Sequence, residues 1–467
     1  MKKSFDLAVL GGGPGGYVAA IRAAQLGFKT VVIDKDNLGG ICLNWGCIPT
    51  KALLKSAEVY DMMKNHSADY GIKVEGLSFE FDKIISRSRG ISDRITKNVE
   101  MLIKKNKIER IRGFGKFVSK NEIEIFDNDG KSFDSVVADK IIIATGARPR
   151  VFPTIPVDRK NIITSTEAMN LPKQPKDLIV IGAGAIGVEF AYFYSVFGTK
   201  VTIVEMLDNL LPIEDKEVSE TLEKSFKKRG IEIYTKTKVE NAVVKDDYVI
   251  VNVEKDGKKI ELKAEKVLSA IGVTGNVEGF GLEELGIEIE RGHIKVNKEN
   301  YQTNIPNIFA IGDVIGAPWL AHVASAEGIH CVEKMKGLHA NPIDYNTIPG
   351  CTYCHPQVAS VGITEKKAKE DGREIKIGKF PFMASGKAFA AGERDGFVKL
   401  IFDAKYGELL GAHIIGPEAT ELISEITLAK SMEATYETIV KTVHAHPTLA
   451  ESIMEAAANA YGESIHI

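Results

Sequence analysis

Cys42 and Cys47 are separated only by Leu43-Asn44-Trp45-Gly46 and run directly into Ile48-Pro49-Thr50-Lys51. A disulfide requires alpha carbons within about 7 Å, and a turn through Gly46 can bring the two residues that near. A pair so placed can open and close without unfolding the chain. Because it follows a glycine-rich opening of the dinucleotide-binding kind, the chemistry it points to is redox. Three further cysteines stand at 331, 351 and 354. Cys351-Thr352-Tyr353-Cys354-His355 spells the C-x-x-C-H of haem attachment, and two thiols with an imidazole are also zinc donors. With no export signal and no fourth nearby ligand evident, this segment is read as a strand and turn, and Cys331 as a helix-core thiol.

The elements that must position the pair begin at Asp6. Asp6 to Leu10 reads as a short buried strand, Gly11-Gly12-Gly13-Pro14-Gly15-Gly16 opens a helix through Ala19, Ala20, Ala23, Ala24 and Leu26, and the strand Thr30 to Ile33 ends at Asp34. In a dinucleotide fingerprint Gly11 makes the turn, Gly13 beside Pro14 lets the backbone approach a pyrophosphate, and Gly16 permits close helix packing. Amides at the helix start receive the phosphate charge. Asp34 is spaced to accept from an adenosine ribose hydroxyl. A lone glycine fingerprint is equally a flexible turn; strand, glycines, helix, strand and terminal acid together favour the nucleotide.

The same grammar returns after Pro175. A strand Leu178 to Ile181 leads into Gly182-Ala183-Gly184-Ala185-Ile186-Gly187, a helix through Val188, Phe190 and Tyr194, and a strand Val201 to Val204 ending at Glu205. Gly11 to Asp34 and Gly182 to Glu205 have equal spacing, which makes this an internal repeat. Two dinucleotides on one chain suggest electron transfer between them. Glu205 can bond a free ribose 2'-hydroxyl but repels a 2'-phosphate, and Met206, Leu207 and Asp208 add no cation, so NAD is favoured over NADP. The plainer reading of Glu205 is a solvated acid at a strand end.

Two more segments fit a bound flavin. Lys140 to Ala144 is an apolar strand closing in Thr145-Gly146, and Ile308 to Ile311 closes on Gly312-Asp313, where the acid can bond a ribityl hydroxyl. The helix that follows, from Ala321 and His322 to Gly328, would aim its positive end at the pyrimidine side of the flavin.

The bulk properties agree with a large enzyme. The 467 residues give a prior of about three domains, 44% are hydrophobic, 26% are charged, and the 43 glycines suit recurrent tight turns. A formal net charge of -3 gives no electrostatic case for nucleic acid. No run is apolar and long enough to span a membrane, and Met1-Lys2-Lys3 is followed by no cleavage pattern, so a cytoplasmic location is expected. Five cysteines are too few for a structural disulfide framework.

Over essentially its whole length the chain resembles the flavin-dependent pyridine nucleotide-disulfide oxidoreductases, in particular the dihydrolipoamide dehydrogenase branch. The stretches Gly39-Gly40-Ile41-Cys42 to Cys47-Ile48-Pro49-Thr50-Lys51-Ala52-Leu53-Leu54 and His444-Ala445-His446-Pro447-Thr448-Leu449-Ala450-Glu451 carry the resemblance. It implies an α/β fold: two Rossmann-like dinucleotide-binding domains, for FAD and NAD, plus an α+β C-terminal dimerisation domain. The corresponding boundaries are 1-148 for the FAD domain with the redox disulfide, 149-270 for the NAD domain, 271-347 for a central domain completing the FAD site, and 348-467 for the interface domain. It further implies a homodimer with shared active sites, one tightly bound non-covalent FAD per subunit, and NAD as cosubstrate.

On that pattern Cys47 would be the thiol nearest the flavin and Cys42 the one exchanging with substrate. Lys51 would lie by the flavin and pair with Glu189, while His446 of the neighbouring subunit would be the acid-base, oriented by Glu451. The resemblance also places Lys35, Gly115 and Gly272 in the cofactor sites. Without it, His444 and His446 could be solvent-facing loop residues or part of an incomplete metal site, and Pro447-Thr448 would begin a helix with Glu451 as the far member of a capping box. Where the family commonly has Arg after Ile271-Gly272, this chain has Val273, which puts one local contact in doubt. The chain's end, Tyr461 to Ile467, holds no relay thiol of the kind found in mercuric reductase and large thioredoxin reductases. Soluble transhydrogenases lack such a thiol pair, and glutathione reductase relies on cations absent beside Glu205.

The implied reaction is dihydrolipoamide plus NAD giving lipoamide plus NADH. Implied partners are lipoyl domains and the subunit-binding domain of 2-oxoacid dehydrogenase acyltransferases, with the lipoyl protein of the glycine cleavage system as a further candidate. Two alternatives stand beside it: an NAD-linked reductase of a low-molecular-weight disulfide, and a non-enzymatic scaffold for an acyltransferase core.

Overall fold

The computed structural model describes residues 3–467; Met1 and Lys2, with which the expected leaderless start begins, lie outside the described residues. The chain divides into two compact units. One runs to Ala52 and takes in Ile85–Arg150 and Gly272–Ile343; the other comprises Leu53–Ile84, Val151–Ile271 and Asp344–Ile467.

The first unit is built on β1 (Lys3–Leu10), α1 (Pro14–Gln25), β2 (Thr30–Asp34), α2 (Gly40–Trp45), the start of α3 (Cys47–Asp61), most of α4 (Phe81–Lys105), β3 (Glu109–Arg112), β4 (Phe114–Ser119), β5 (Glu122–Phe126) and β6 (Ser132–Ile143). Its sheet has the order β3-β2-β1-β6-β5-β4, with Ile308–Ala310 also paired to β6. β3, β2, β1, β6 and Ile308–Ala310 run parallel, whereas β4 and β5 return antiparallel. Leu7 to Leu10, Val31 to Ile33 and Ile141 to Ile143 are buried continuously, as strands covered on both faces must be. Fully burying one such side chain contributes about 1.5–3 kcal/mol. β1 starts at Lys3, earlier than the sequence pattern suggests, because β6 reaches back to pair Val136–Ala138 with Lys3–Phe5. β6 is longer than expected because its first half pairs with β5.

The second unit repeats the parallel theme in the strand order Glu232–Tyr234, Lys200–Val204, Asp177–Ile181, Lys266–Ser269, Ile162–Ile163, with the helix Ala185–Val196 after Asp177–Ile181. An antiparallel meander, Thr237–Val244, Val249–Lys255 and Lys258–Ala264, accompanies it. The C-terminal part is a five-stranded antiparallel sheet, ordered Gly350–Thr352, Gln357–Gly362, Leu409–Gly416, Phe397–Asp403, Ile375–Pro381, packed by the helices Ala419–Ser431 and Glu451–Asn459. The Cys351–His355 segment forms the end of the first of these strands and the turn after it. Cys354 is buried, its thiol directed at the Pro356 carbonyl.

A buried cation ties elements of this unit together. Lys399 Nζ, on Phe397–Asp403, lies 3.0 Å from Asp215, 2.8 Å from Glu217 and 2.6 Å from Glu365. Asp215 also caps the helix Lys216–Lys228 by accepting from Glu217 N–H. Burial pulls the Lys399 ammonium down, but the three carboxylates more than reverse this and hold it above its ordinary value. Among the described residues no helix is long and apolar enough to cross a membrane.

Candidate active site

α2 ends at Trp45, the chain bends at Gly46 with φ -153° and ψ -114°, and α3 begins at Cys47. Pro49 is tolerated there because it falls in the first turn, whose N–H groups have no partner within the helix. The bend sets the Cys42 and Cys47 thiols in hydrogen-bonding contact. That contact and burial push the Cys42 thiol up, while the charge of Lys51, one turn into α3, acts the other way. Tyr17, on α1, is raised first by burial and then by the charge of Cys42, so the fold brings it beside the pair. No local signal in the sequence marks it.

Side chains remote in sequence hold this helical corner. Buried Asn44 donates to the Leu38 and Gly40 carbonyls and accepts from Thr96. Arg89 donates to the Asn44 carbonyl at 2.6 Å and lies over the Trp45 ring at 4.6 Å, while Ser88 donates to the Pro49 carbonyl. The corner also rests on the first glycine turn: Gly39 N–H donates to the Gly12 carbonyl at 2.7 Å, and a Cβ on Gly40 would come within 2.7 Å of Gly13 Cα. Thiols and dinucleotide loop are therefore one assembly.

The two glycine turns are built alike. Gly11 and Gly182 both have positive φ, and a Cβ on Gly16 or Gly187 would collide with the carbonyl oxygen of Gly11 or Gly182 respectively. Gly12 N–H and Asp36 N–H donate to Asp34; Ala183 N–H and Leu207 N–H donate to Glu205, each at 2.7 Å. Gly13 and Gly184 cap the helices Pro14–Gln25 and Ala185–Val196 with no side-chain bond, so the first-turn amides face each turn as a pyrophosphate requires. These residues fit two dinucleotides. Burial raises the Asp34 carboxyl against the lowering effect of its two amide bonds. Glu205 is buried, which argues against its being a solvated acid at a strand end. The fold brings a cation the local sequence did not disclose: Lys236 Nζ stands 4.0 Å from Asp208.

The remaining flavin-site candidates lie in the first unit. Thr145 Oγ1 donates to the Asn276 carbonyl at 2.8 Å and Asn276 Nδ2 returns a bond to the Thr145 carbonyl at 2.9 Å, while Gly146 has positive φ. Asp313 sits in a short turn of helix where burial, and then the charge of Glu327, push its carboxyl up to about 6. Glu327 accepts from Gly312 N–H. Ala321 and His322 open the helix Ala321–Met335. Gly115, in β4, faces Leu10 and Ile33 at the sheet, where a Cβ would be crowded; Lys35 Nζ lies 5.9 Å from the Phe114 ring. Gly272 has positive φ and accepts from Arg150 N–H. At Val273, the position without the usual Arg, Arg150 donates to the carbonyl from the neighbouring strand, and Arg148 donates to Gly275.

In the second unit His446 Nδ1 lies 2.9 Å from Glu451 Oε1, and Thr448 N–H donates to Glu451 Oε2 at 2.8 Å. Burial would raise the Glu451 carboxyl, but the Thr448 and His446 bonds hold it below its usual range. The helix starts at Glu451, later than the Pro447-Thr448 start read from the sequence, because Thr448 Oγ1 turns back to the Ala445 carbonyl. Only half of the capping box forms. Glu189 is buried on Ala185–Val196 and accepts from Tyr353 N–H at 2.9 Å.

The pyridine nucleotide-disulphide oxidoreductase family matches residues 5–328, and its dimerisation domain matches residues 348–457. The chain is 49% identical to the dihydrolipoyl dehydrogenase of Zymomonas mobilis and 46% identical to that of Bacillus subtilis, with all of both chains covered in each case. Its fold superposes on the crystal structure of LpdA from Mycobacterium tuberculosis with a TM-score of 0.89 and 28% identity, covering 97% of this chain and 99% of that one. The chain belongs to the dihydrolipoyl dehydrogenase family of pyridine nucleotide-disulphide oxidoreductases.

Proposed function

We propose that this chain oxidises protein-bound dihydrolipoyl groups to the lipoyl disulfide and reduces NAD to NADH, the Cys42–Cys47 pair serving as its redox disulfide. The observation that carries the reading is the contact of the two thiols on a helical corner seated against a dinucleotide turn. One substrate thiol attacks Cys42 of the oxidised pair, its proton passing to the partner subunit's His446, whose tautomer Glu451 fixes. The S–S bond breaks, Cys47 leaves as thiolate, and a mixed disulfide joins Cys42 to substrate. The second substrate thiol displaces Cys42, which takes up a proton, so the pair ends reduced by two electrons and the substrate ends as disulfide. Bound FAD supplies the two-electron relay from the thiols to the nicotinamide. Gly11, Gly13, Pro14, Gly16, Asp34, Lys35, Gly115, Thr145, Gly146, Gly272, Asp313, Ala321 and His322 would hold it, one per subunit; Gly182, Gly184, Gly187 and Glu205 would hold NAD. Lys51 would serve the flavin site and Glu189 the nicotinamide site.

The same reading makes the protein a cytoplasmic homodimer with divisions near 148, 270 and 347. Its partners are lipoyl domains and the subunit-binding domain of 2-oxoacid dehydrogenase acyltransferases, with the glycine-cleavage lipoyl protein as a further substrate. The test is NAD reduction by FAD-loaded protein with dihydrolipoamide, beside Cys42→Ser and His446→Gln. Turnover is expected in the wild type alone, with FAD retained in all three; an inert wild type, or an undiminished His446→Gln, refutes the corresponding assignment.

A further inference from the structure

His444 and His446 lie on one turn but in different surroundings. The His446 side chain is 79% exposed and meets Glu451 through Nδ1. The His444 side chain is 5% exposed and is gripped at both ring nitrogens: Nδ1 lies 2.9 Å from the Thr442 carbonyl, just after the helix Tyr436–Lys441, and Nε2 lies 2.7 Å from Glu425 Oε1 on the helix Ala419–Ser431. The ring is thus held from two sides, by the chain just before it and by a separate helix. His444 also draws electrostatically on Glu451, the carboxylate that holds His446.

An exposed imidazole on a turn has little of its own to fix its position. Misplacing a reacting group by about 1 Å can cost on the order of 100-fold in rate. We propose that His444 is a positioning residue for His446: clamped to Glu425 and Thr442, it fixes the turn 442–448 so that the His446–Glu451 pair presents its imidazole in a single orientation. The charged groups facing it are Glu425, from Ala419–Ser431, and Glu451, at the start of Glu451–Asn459. The proposal rests on the reading of His446 as the acid-base group.

The experiment uses FAD-loaded His444→Ala, His444→Gln, Glu425→Gln and His446→Gln. Two rates are followed over about pH 6–9: NAD reduction by dihydrolipoamide, and NADH oxidation by ferricyanide, which drains electrons from the flavin without dithiol exchange. His444→Ala should lose ~10- to 100-fold in dihydrolipoamide kcat with a displaced pH profile and an unchanged ferricyanide rate. His444→Gln and Glu425→Gln should show the same pattern to a smaller degree. Wild-type kcat and pH profile in the His444 and Glu425 variants, while His446→Gln collapses, would overturn the positioning role alone. Equal losses in both assays would overturn it in favour of a merely structural one. Retained turnover in His446→Gln would remove the premise and the proposal with it.

Discussion

Asp34 and Glu205 make the same pair of bonds, each carboxylate taking the N–H of the residue after its turn glycine and the N–H two residues beyond itself. Each acid is thus pinned at the end of its strand, aimed where an adenosine ribose would lie. Glu205→Ser should therefore raise KM for NAD and reduce the preference for NAD over NADP by at least ~10-fold, since repulsion of a 2'-phosphate is lost and Lys236 remains nearby. The ratio of kcat/KM for the two nucleotides measures it, and an unchanged ratio would mean that Glu205 does not read the ribose.

Asn44→Asp keeps shape and the acceptor for Thr96 but turns the donors to Leu38 and Gly40 into a buried carboxylate facing two carbonyls. A loss of about 2–4 kcal/mol is expected. Urea unfolding reads the loss, and alkylation of the reduced protein should show a faster-reacting Cys42. Unaltered alkylation would mean that Asn44 does not govern the helical corner.

Lys399→Met leaves Asp215, Glu217 and Glu365 without their buried cation and should cost about 3–5 kcal/mol. Adding Asp215→Asn should recover part of this. Thermal denaturation of both variants checks the coupling; strictly additive losses would argue against it.

Asp313 carries a pH signature. Its carboxyl is raised to about 6, so between its ordinary value near 4 and about 6 the folded protein holds a proton the unfolded chain has released. Stability accordingly declines as pH rises through that window, and the deficit persists at neutrality. Asp313→Asn should stabilise the apoprotein on the order of 3 kcal/mol at pH 7, with the gain vanishing below about pH 4, and should weaken FAD retention. A gain independent of pH would contradict this origin.

Much of this was readable from the chain. Gly11 to Asp34 and Gly182 to Glu205 are local patterns in which each residue type answers a backbone requirement, and the structure forms the expected strand, turn and helix at both. What escaped depends on contacts between residues far apart in sequence. Tyr17 comes under the electrostatic influence of Cys42 only through the fold, Lys236 approaches Asp208 only through strand pairing, and Glu425 reaches His444 from another helix. The last helix starts later than the Pro447-Thr448 pattern predicts because the Thr448 hydroxyl bonds the Ala445 carbonyl instead of capping, and spacing alone does not choose between these uses.

The two dinucleotide modules share one more bond. Gly39 N–H reaches back to the Gly12 carbonyl in the first, and Leu211 N–H reaches back to the Ala183 carbonyl at 2.9 Å in the second. Beyond that common point the first module enters the thiol helices and the second enters the Asp215-capped helix fastened to Lys399. The two modules thus share the turn, the acid and the returning bond, and differ only in what the chain builds after it. Gly12 and Ala183 each serve twice, the N–H given to the acid and the carbonyl taking the returning N–H, so one residue per turn fixes both the strand-end acid and the point from which the chain departs.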